Sequence, residues 1–267
     1  MENYEEFKTA ENIPGKNSGG VISHAFEIYK NTFGYPLVAV LFLGIIIVIL
    51  FFVTGVGATF MGIIQESQSG KTMSYSEMNE IMYGETSFLK FAGIIILAYI
   101  LLFSPVVIGT IYLAHKKNTN QQIRFSDLFI GFKQNYLKIV LYGLLMSLVS
   151  AVCSQIFFYL PQQIPFVTIV LQHLPEVFIM PFFFLGFPFL LFQNVSVAGA
   201  VKKSFETAKD NYSVFLLINL LAYLCSLLGV LGCGICVIFT FMFYYSVMYS
   251  AYCAYVELPK QSIKINN

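Results

Sequence analysis

The stretch Phe205-Glu-Thr-Ala-Lys209-Asp-Asn-Tyr212 stands immediately before a long uncharged apolar run that begins at Val214. The same arrangement of two aromatic residues around a lysine occurs as Phe26-x3-Lys30-x2-Phe33 and as Phe129-x3-Lys133-x2-Tyr136, each time ahead of an apolar run. An Asn lies close to the lysine in every copy. A motif that recurs at the entry of successive apolar runs predicts a chain built from repeated structural units.

The composition indicates that lipid is the solvent for much of the surface. The chain is 57% hydrophobic and 11% charged, and its mean hydropathy is +0.74, whereas a soluble domain carries about a quarter charged residues. The net charge of +1 argues against a nucleic-acid partner. The polar, acidic N-terminus lacks a basic region followed by an apolar core, so we do not expect a cleavable signal peptide.

The uncharged intervals are long enough to cross a bilayer several times, since about 20 apolar residues span the hydrocarbon core. We predict an all-α polytopic membrane protein with six transmembrane helices. The predicted spans lie at about 37–60, 91–113, 139–160, 174–193, 213–231 and 235–256. They form one membrane domain, 18–257, between a flexible cytoplasmic N-terminus, 1–17, and a cytoplasmic tail, 258–267.

The basic residues predict the orientation of these spans. All but two of the 15 Lys and Arg residues fall on one side of the predicted topology, and the exceptions are Lys71 and Lys90. Cytoplasmic loops are enriched in Lys and Arg, so both termini are expected in the cytoplasm and the protein in the inner membrane.

Each motif copy has the periodicity of an amphipathic helix, with apolar residues three, four and seven positions apart. Such a helix lies in the membrane interface, with its aromatic residues in the acyl boundary and its lysine toward the head groups. We therefore expect three units of interfacial helix, span, outer loop and span, related by an axis along the membrane normal. The candidate interfacial lipid contacts are Lys30, Lys133, Lys209, Phe26, Phe129 and Phe205. Ordinary orientation and anchoring is the favoured interpretation of these residues, and binding to anionic lipid head groups is the alternative.

Several segments resemble a broad group of bacterial six-helix membrane proteins. The similarity is carried by Ala200-Val-Lys-Lys-Ser-Phe-Glu-Thr-Ala-Lys-Asp-Asn-Tyr212, Leu228-Gly-Val-Leu-Gly-Cys-Gly-Ile-Cys236, Ala251-Tyr-Cys-Ala-Tyr255 and Phe125-Ser-Asp-Leu-Phe-Ile-Gly-Phe-Lys133. The group includes the membrane domain attached to some glycerophosphodiester phosphodiesterases. The resemblance implies a multi-pass inner-membrane protein without a defined molecular role. The chain has no phosphodiesterase domain, so that activity is not implied.

His173 and Glu176 form the candidate intramembrane polar site. One interpretation is a proton relay or metal pair, because ionisable residues within a membrane are functional by default. The other is structural: Pro175 suits the first turn of a helix and Glu176 its positive end, which places both residues at the outer interface.

The remaining chemistry-bearing residues favour packing over catalysis. Cys233-x-x-Cys236 has no second ligand pair at metal-binding spacing. Polar residues within the spans more often join helices than bind substrate, and Pro105, Pro181 and Pro188 predict kinks. No phosphate-binding loop, nucleophile elbow or zinc-protease motif occurs. We expect no enzyme activity, cofactor, metal or catalytic residue.

Three functions remain open. The first is a non-enzymatic scaffold or envelope component that organises lipid or other membrane proteins. The second is a small transporter or channel, with a polar path along the pseudo-three-fold axis. The third is a lipid-active enzyme, which ranks last because no nucleophile, base and orienting residue occur together.

Overall fold

The computed structural model describes residues 4–6, 12–53, 57, 61, 93–156, 175–231, 242–256 and 262–264. These residues are helical apart from short connections and one pair of three-residue strands. The predicted all-α class is therefore correct in its main feature, with the strand pair as an addition that the sequence did not predict. Strands β1 (Tyr4–Glu6) and β2 (Ser262–Lys264) pair antiparallel, with Tyr4 opposite Lys264.

The numbered helices all lie within the described residues. In chain order they are α1 (Ser18–Thr32), α2 (Gly34–Val53), α3 (Ser104–Asn118), α4 (Ile130–Lys133), α5 (Tyr136–Ile156), α6 (175–179), α7 (Gly186–Gln193), α8 (Val197–Asp210), α9 (Tyr212–Leu231) and α10 (Phe243–Tyr255). A helical segment, 93–98, and a π-helical turn, Tyr99–Phe103, precede α3, and 3-10 turns precede α4 (Phe125–Phe129) and α7 (Met180–Phe183).

Four described helical segments are long and apolar enough to cross a membrane. They are Gly34–Val53, Gly93–Asn118, Tyr136–Cys153 and Pro175–Gln193, and they coincide with the first four predicted spans. Tyr212–Ala222, in α9, is a shorter apolar helix within the fifth. The described part of the sixth is the 13-residue helix α10. The predicted outer loops at about 62–87, 161–173 and 232–234 lie outside the described residues.

The chain divides into two compact units, Val38–Phe103 and a larger unit formed by Met1–Leu37 with Ser104–Asn267. In the smaller unit, many large apolar side chains of α2 are exposed, among them Phe42, Ile45 and Phe52. A helix that is apolar on all sides and exposed in this way is typical of a lipid-facing span.

In the larger unit, nearly every residue of α3 is buried. Two glycines allow the close approach of the segment that carries the second motif copy. A Cβ atom on Gly109 would overlap with the backbone of Leu128, and one on Gly131 would overlap with the backbone of Pro105. The small residues on both elements therefore bring the two backbones into direct contact.

All three motif copies occur where a short helical element ends and a long apolar helix begins. The breaks fall at Phe33, at Gln134 and Asn135, and at Asn211, and Asn135 has the left-handed φ of 54°. The second copy differs from the single amphipathic helix that the sequence predicts, because it forms a 3-10 turn followed by the four-residue α4.

The second copy is capped by an acidic side chain. The Asp127 carboxylate accepts a 2.7 Å hydrogen bond from the Arg124 backbone N–H. Its other oxygen lies 3.0 Å from the ammonium group of Lys116 on α3, so the cap is tied to the buried helix.

Candidate functional site: a broken span completed by side chains

The fourth predicted span is discontinuous. Helix α6 ends at residue 179, the 3-10 turn Met180–Phe183 and a two-residue turn follow, and α7 starts at Gly186. Pro181 explains the break, because proline has no backbone N–H and its ring obstructs the preceding helical turn. Pro188 lies in the first turn of α7, where a missing N–H costs nothing. The kink predicted from Pro181 is thus a change of helix type.

The break leaves backbone groups without the partners that a continuous helix would provide. The Val177 carbonyl would normally accept from the N–H of residue 181, which is proline. Instead the Asn219 amide of α9 donates to this carbonyl at 3.1 Å. The Tyr244 hydroxyl donates to the amide oxygen of Asn219 at 2.8 Å, which fixes the orientation of the amide. Asn219 is buried, so its polar atoms are used within the protein.

Three further side chains complete the broken segment. The Tyr212 hydroxyl donates to the Phe178 carbonyl at 3.1 Å, and the Tyr142 hydroxyl donates to the Phe183 carbonyl. The Leu185 N–H donates to the Ser204 hydroxyl at 3.0 Å. Helices α5, α8 and α9 thereby replace the hydrogen bonds that a continuous helix would make for itself.

Aromatic packing fixes the same segment. Phe182 stacks on both Phe205 and Tyr212, at ring distances of 4.9 and 5.0 Å. These are the two aromatic residues of the third motif copy. A Cβ atom on Gly186 would overlap with the Tyr142 ring, so glycine is required where α7 begins.

Glu176 lies in α6, on the N-terminal side of the break. Its carboxylate accepts a 2.9 Å hydrogen bond from the Ser150 hydroxyl of α5. The structure therefore joins Glu176 to a polar residue of a neighbouring helix. His173, its predicted partner, lies outside the described residues, so the His173–Glu176 pair stays a prediction.

A second polar cluster joins α1, α3 and α10. His24 Nε2 lies 3.2 Å from Asn118 Oδ1, and His24 Nδ1 lies 2.9 Å from the Ser250 hydroxyl. The Asn118 amide nitrogen contacts the Tyr249 hydroxyl at 3.1 Å, and this hydroxyl lies 3.2 Å from His115 Nδ1. Asn118, His115, Tyr249 and Ser250 are all buried. We name these five residues the histidine cluster.

The hydrogen-bond partners determine the proton positions in the histidine cluster. Asn118 Nδ2 also donates to the Asn12 carbonyl at 3.0 Å, so Asn118 Oδ1 must face His24 and accept from Nε2–H. Neutral His24 then accepts from Ser250 through Nδ1. Burial lowers the pKa of His24, while Asn118, the Asn12 backbone and the Glu27 carboxylate act against this shift. The cluster therefore favours the neutral ring.

Sequence reasoning missed the histidine cluster. His24 and Ser250 are separated by 226 positions, and His24 and Asn118 by 94, so neither contact leaves a local signal. The one sign in the sequence was that His24 lies in the first predicted amphipathic helix.

The motif lysines Lys30, Lys133 and Lys209 each lie in the last turn of a separate short helix. All three are exposed, in the position where a cation complements the helix dipole. The structure does not bring them together into one site. The motif phenylalanines are exposed as well: Phe26 by 60%, Phe129 by 38% and Phe205 by 46%.

The face that packs on the protein is displaced from the predicted aromatic stripe by one residue. The residues immediately before these phenylalanines are fully buried; they are Ala25, Leu128 and Ser204. The motif aromatics also contact other rings. Phe26 lies 6.4 Å from Phe243, and Phe132 stacks on Tyr136 at 5.9 Å.

Among the described residues, no group of three His, Cys, Asp or Glu side chains is placed to hold a metal ion. Cys233 and Cys236 lie outside that part of the chain. A π-helical turn, Tyr99–Phe103, lies just before Pro105, and the kink predicted at this proline stays a prediction.

Comparison of the chain with protein-family models, with curated proteins and with solved structures finds no match.

Proposed function

We propose that the chain is a non-enzymatic, six-span protein of the bacterial inner membrane that organises lipid or partner proteins, with both termini in the cytoplasm. It would be a relative of the bacterial six-helix group that its motifs resemble. The observation that carries the proposal is the threefold step from a short helical element to a long apolar helix, with an exposed phenylalanine and an exposed lysine at each step. Three such elements, each with aromatic and cationic side chains exposed, suit an interface between acyl chains and anionic head groups.

The packing of the larger unit supports a structural role. The largest fully buried side chains include Tyr142, Tyr249, Tyr252, Phe184 and Phe215. Rings from different helices meet within it, for example Phe184 with Tyr244 at 5.2 Å and Phe189 with Tyr252 at 5.3 Å. Aromatic rings fill the described part of the interior. This packing favours a rigid framework over an aqueous path through the protein.

Lipid organisation can be measured directly. Wild-type protein reconstituted in vesicles that contain a self-quenching phosphatidylglycerol is expected to increase quenching. The triple variant Lys30→Gln, Lys133→Gln, Lys209→Gln should lose most of this increase. A matched triple variant, Lys117→Gln, Arg124→Gln, Lys202→Gln, removes three other positive charges and should retain it. Equal quenching by both variants would contradict the role of the motif.

One observation favours a second candidate, a small transporter. Discontinuous spans whose backbone is completed by side chains are common where transporters bind substrates and ions, and the Met180–Leu185 segment is of this kind. Net flux of amino acids, sugars or cations into sealed proteoliposomes, lost in an Asn219→Ala variant, would replace the scaffold proposal with this one.

A further inference from the structure

Two lysines converge on the turn that connects α7 to α8. The Lys138 ammonium group donates to Asn194 Oδ1 at 2.8 Å and to the Asn194 carbonyl at 3.3 Å. The Lys203 ammonium group donates to the side-chain oxygen of Gln193. Gln193 and Asn194 are consecutive residues, whose Cα atoms are about 3.8 Å apart, so the two ammonium groups bind to neighbouring residues at the end of α7. We name Lys138, Lys203 and residues 193–196 the basic turn.

The positive charge of the basic turn is not balanced within the described part of the chain. The acceptors of both ammonium groups there are neutral amide oxygens, and the ion pairs found there join other residues, Lys116 to Asp127 and Lys202 to Glu206. The end of α7 contributes about half a negative charge, and the beginning of α8 contributes about half a positive charge, so the two cancel. About two positive charges remain.

The location of the basic turn suits a lipid head group. Lys138 lies in the first turn of the candidate span Tyr136–Cys153, and Gln193 ends the candidate span Pro175–Gln193. The Lys203 ammonium group lies 5.8 Å from the centre of the Phe189 ring, which belongs to the second of these spans. Both cations therefore lie where apolar helices end, which is the depth at which lysines reach phospholipid phosphates.

We propose that the basic turn binds the phosphodiester of an anionic phospholipid. The site is distinct from the three motif lysines and rests on the proposed function, since it presumes that the chain spans a membrane. One lipid phosphate would accept from both ammonium groups, while Asn194 and Gln193 hold them in place. The left-handed φ of 48° at Asn194 turns the chain sharply between α7 and α8, and the hydrogen bonds of both ammonium groups lie at the exposed surface.

Lipid binding by the full chain in a neutral detergent tests the proposal, with native mass spectrometry or a melting-temperature titration as the measurement. Phosphatidylglycerol should bind more tightly than phosphatidylcholine, and less tightly as salt increases. The double variant Lys138→Gln, Lys203→Gln should weaken phosphatidylglycerol binding about 25-fold, at roughly fivefold per lysine. Lys202→Gln is the matched control, because its partner is Glu206, and should bind within about twofold of wild type.

Several outcomes would overturn the proposal: equal binding of the two lipids, binding that is insensitive to salt, or a double variant that binds like wild type. Inorganic phosphate that displaces phosphatidylglycerol at equal concentration would reassign the site to a free anion. The variant Lys138→Arg, Lys203→Arg keeps both charges and should bind phosphatidylglycerol like wild type. A folded Arg variant that binds normally shows that the loss of binding in the Gln variant is due to the missing charges. The variant Lys30→Gln, Lys133→Gln, Lys209→Gln can lose its effect on lipid quenching while the basic-turn double variant still binds phosphatidylglycerol like wild type. In that case this inference fails and the proposed function stands.

Discussion

The side-chain amide of Asn219 donates a 3.1 Å hydrogen bond to the Val177 carbonyl, at the position where Pro181 has no N–H to offer. One residue of α9 thus compensates for a proline in the preceding span. We expect Asn219→Ala to destabilise the protein by about 1–2 kcal/mol, because it leaves a buried carbonyl without a donor. Unfolding in mixed micelles measures this loss.

A double-mutant cycle separates this explanation from simple loss of packing. In a Pro181→Ala background the backbone N–H is restored, so Asn219→Ala should cost less than it does in the wild type. An equal cost in both backgrounds would show that Asn219 does not act through the proline.

Ser204 supports the other end of the broken span, where its hydroxyl accepts from the Leu185 N–H. Ser204→Ala should cost about 1–3 kcal/mol, since both groups are buried, whereas Ser213→Ala at an exposed position of α9 should cost less than about 0.5 kcal/mol. Melting temperatures of the two variants in the same detergent provide the comparison, and similar shifts would contradict it.

Gly186 is required because the Tyr142 ring occupies the space that a Cβ atom would need. We expect Gly186→Ala to destabilise the protein by about 1–3 kcal/mol through overpacking. Gly44→Ala in α2 is the control: nothing lies within 4 Å of its Cβ position, and alanine is the better helix former. A stable Gly186→Ala protein would show that Tyr142 can move aside.

The ion pair between Lys116 and Asp127 is nearly buried, with side-chain exposures of 8% and 12%. Asp127→Asn alone should cost about 3 kcal/mol or more, because it leaves a buried ammonium group unpaired. The double variant Lys116→Met, Asp127→Asn should recover part of this loss. Glu206→Gln breaks an exposed pair, Lys202–Glu206, and should change stability little. Chemical unfolding of the wild type and these three variants tests the expected order of stabilities, and the single variant Lys116→Met completes the cycle that measures the coupling.

Acidification should weaken the docking of α1. Burial holds the pKa of His24 below its ordinary value of 6.5, so the folded protein takes up this proton less readily than the unfolded chain. The contribution of neutral His24 to the free energy of unfolding is complete above about pH 6.5. It is lost as the pH falls through the lower pKa that His24 has in the folded protein. His24→Gln should reduce the difference in melting temperature between pH 7.5 and pH 5. A variant with the full wild-type pH dependence would assign that dependence to other groups.

The sequence predicted the features that depend on local pattern. The apolar runs predicted the first four spans, and the three motif copies predicted where short helical elements precede long ones. The kink at Pro181 followed from the residue itself, because proline interrupts a helix in any context.

The contacts that complete these features depend on residues far apart in the chain, and the sequence did not predict them. Val177 and Asn219 are 42 positions apart, and many polar residues within spans join helices equally well. The buried faces of the motif helices were predicted one residue out of register, because small residues such as Ala25 and Ser204 pack closely while the larger phenylalanines remain outside.

Strands β1 and β2 pair Tyr4–Glu6 with Ser262–Lys264, which has a topological consequence for a chain that crosses a bilayer. Ends that are hydrogen-bonded to each other must lie in the same aqueous compartment. In such a chain the pairing is compatible with an even number of crossings between β1 and β2, whereas an odd number would require the two strands to separate.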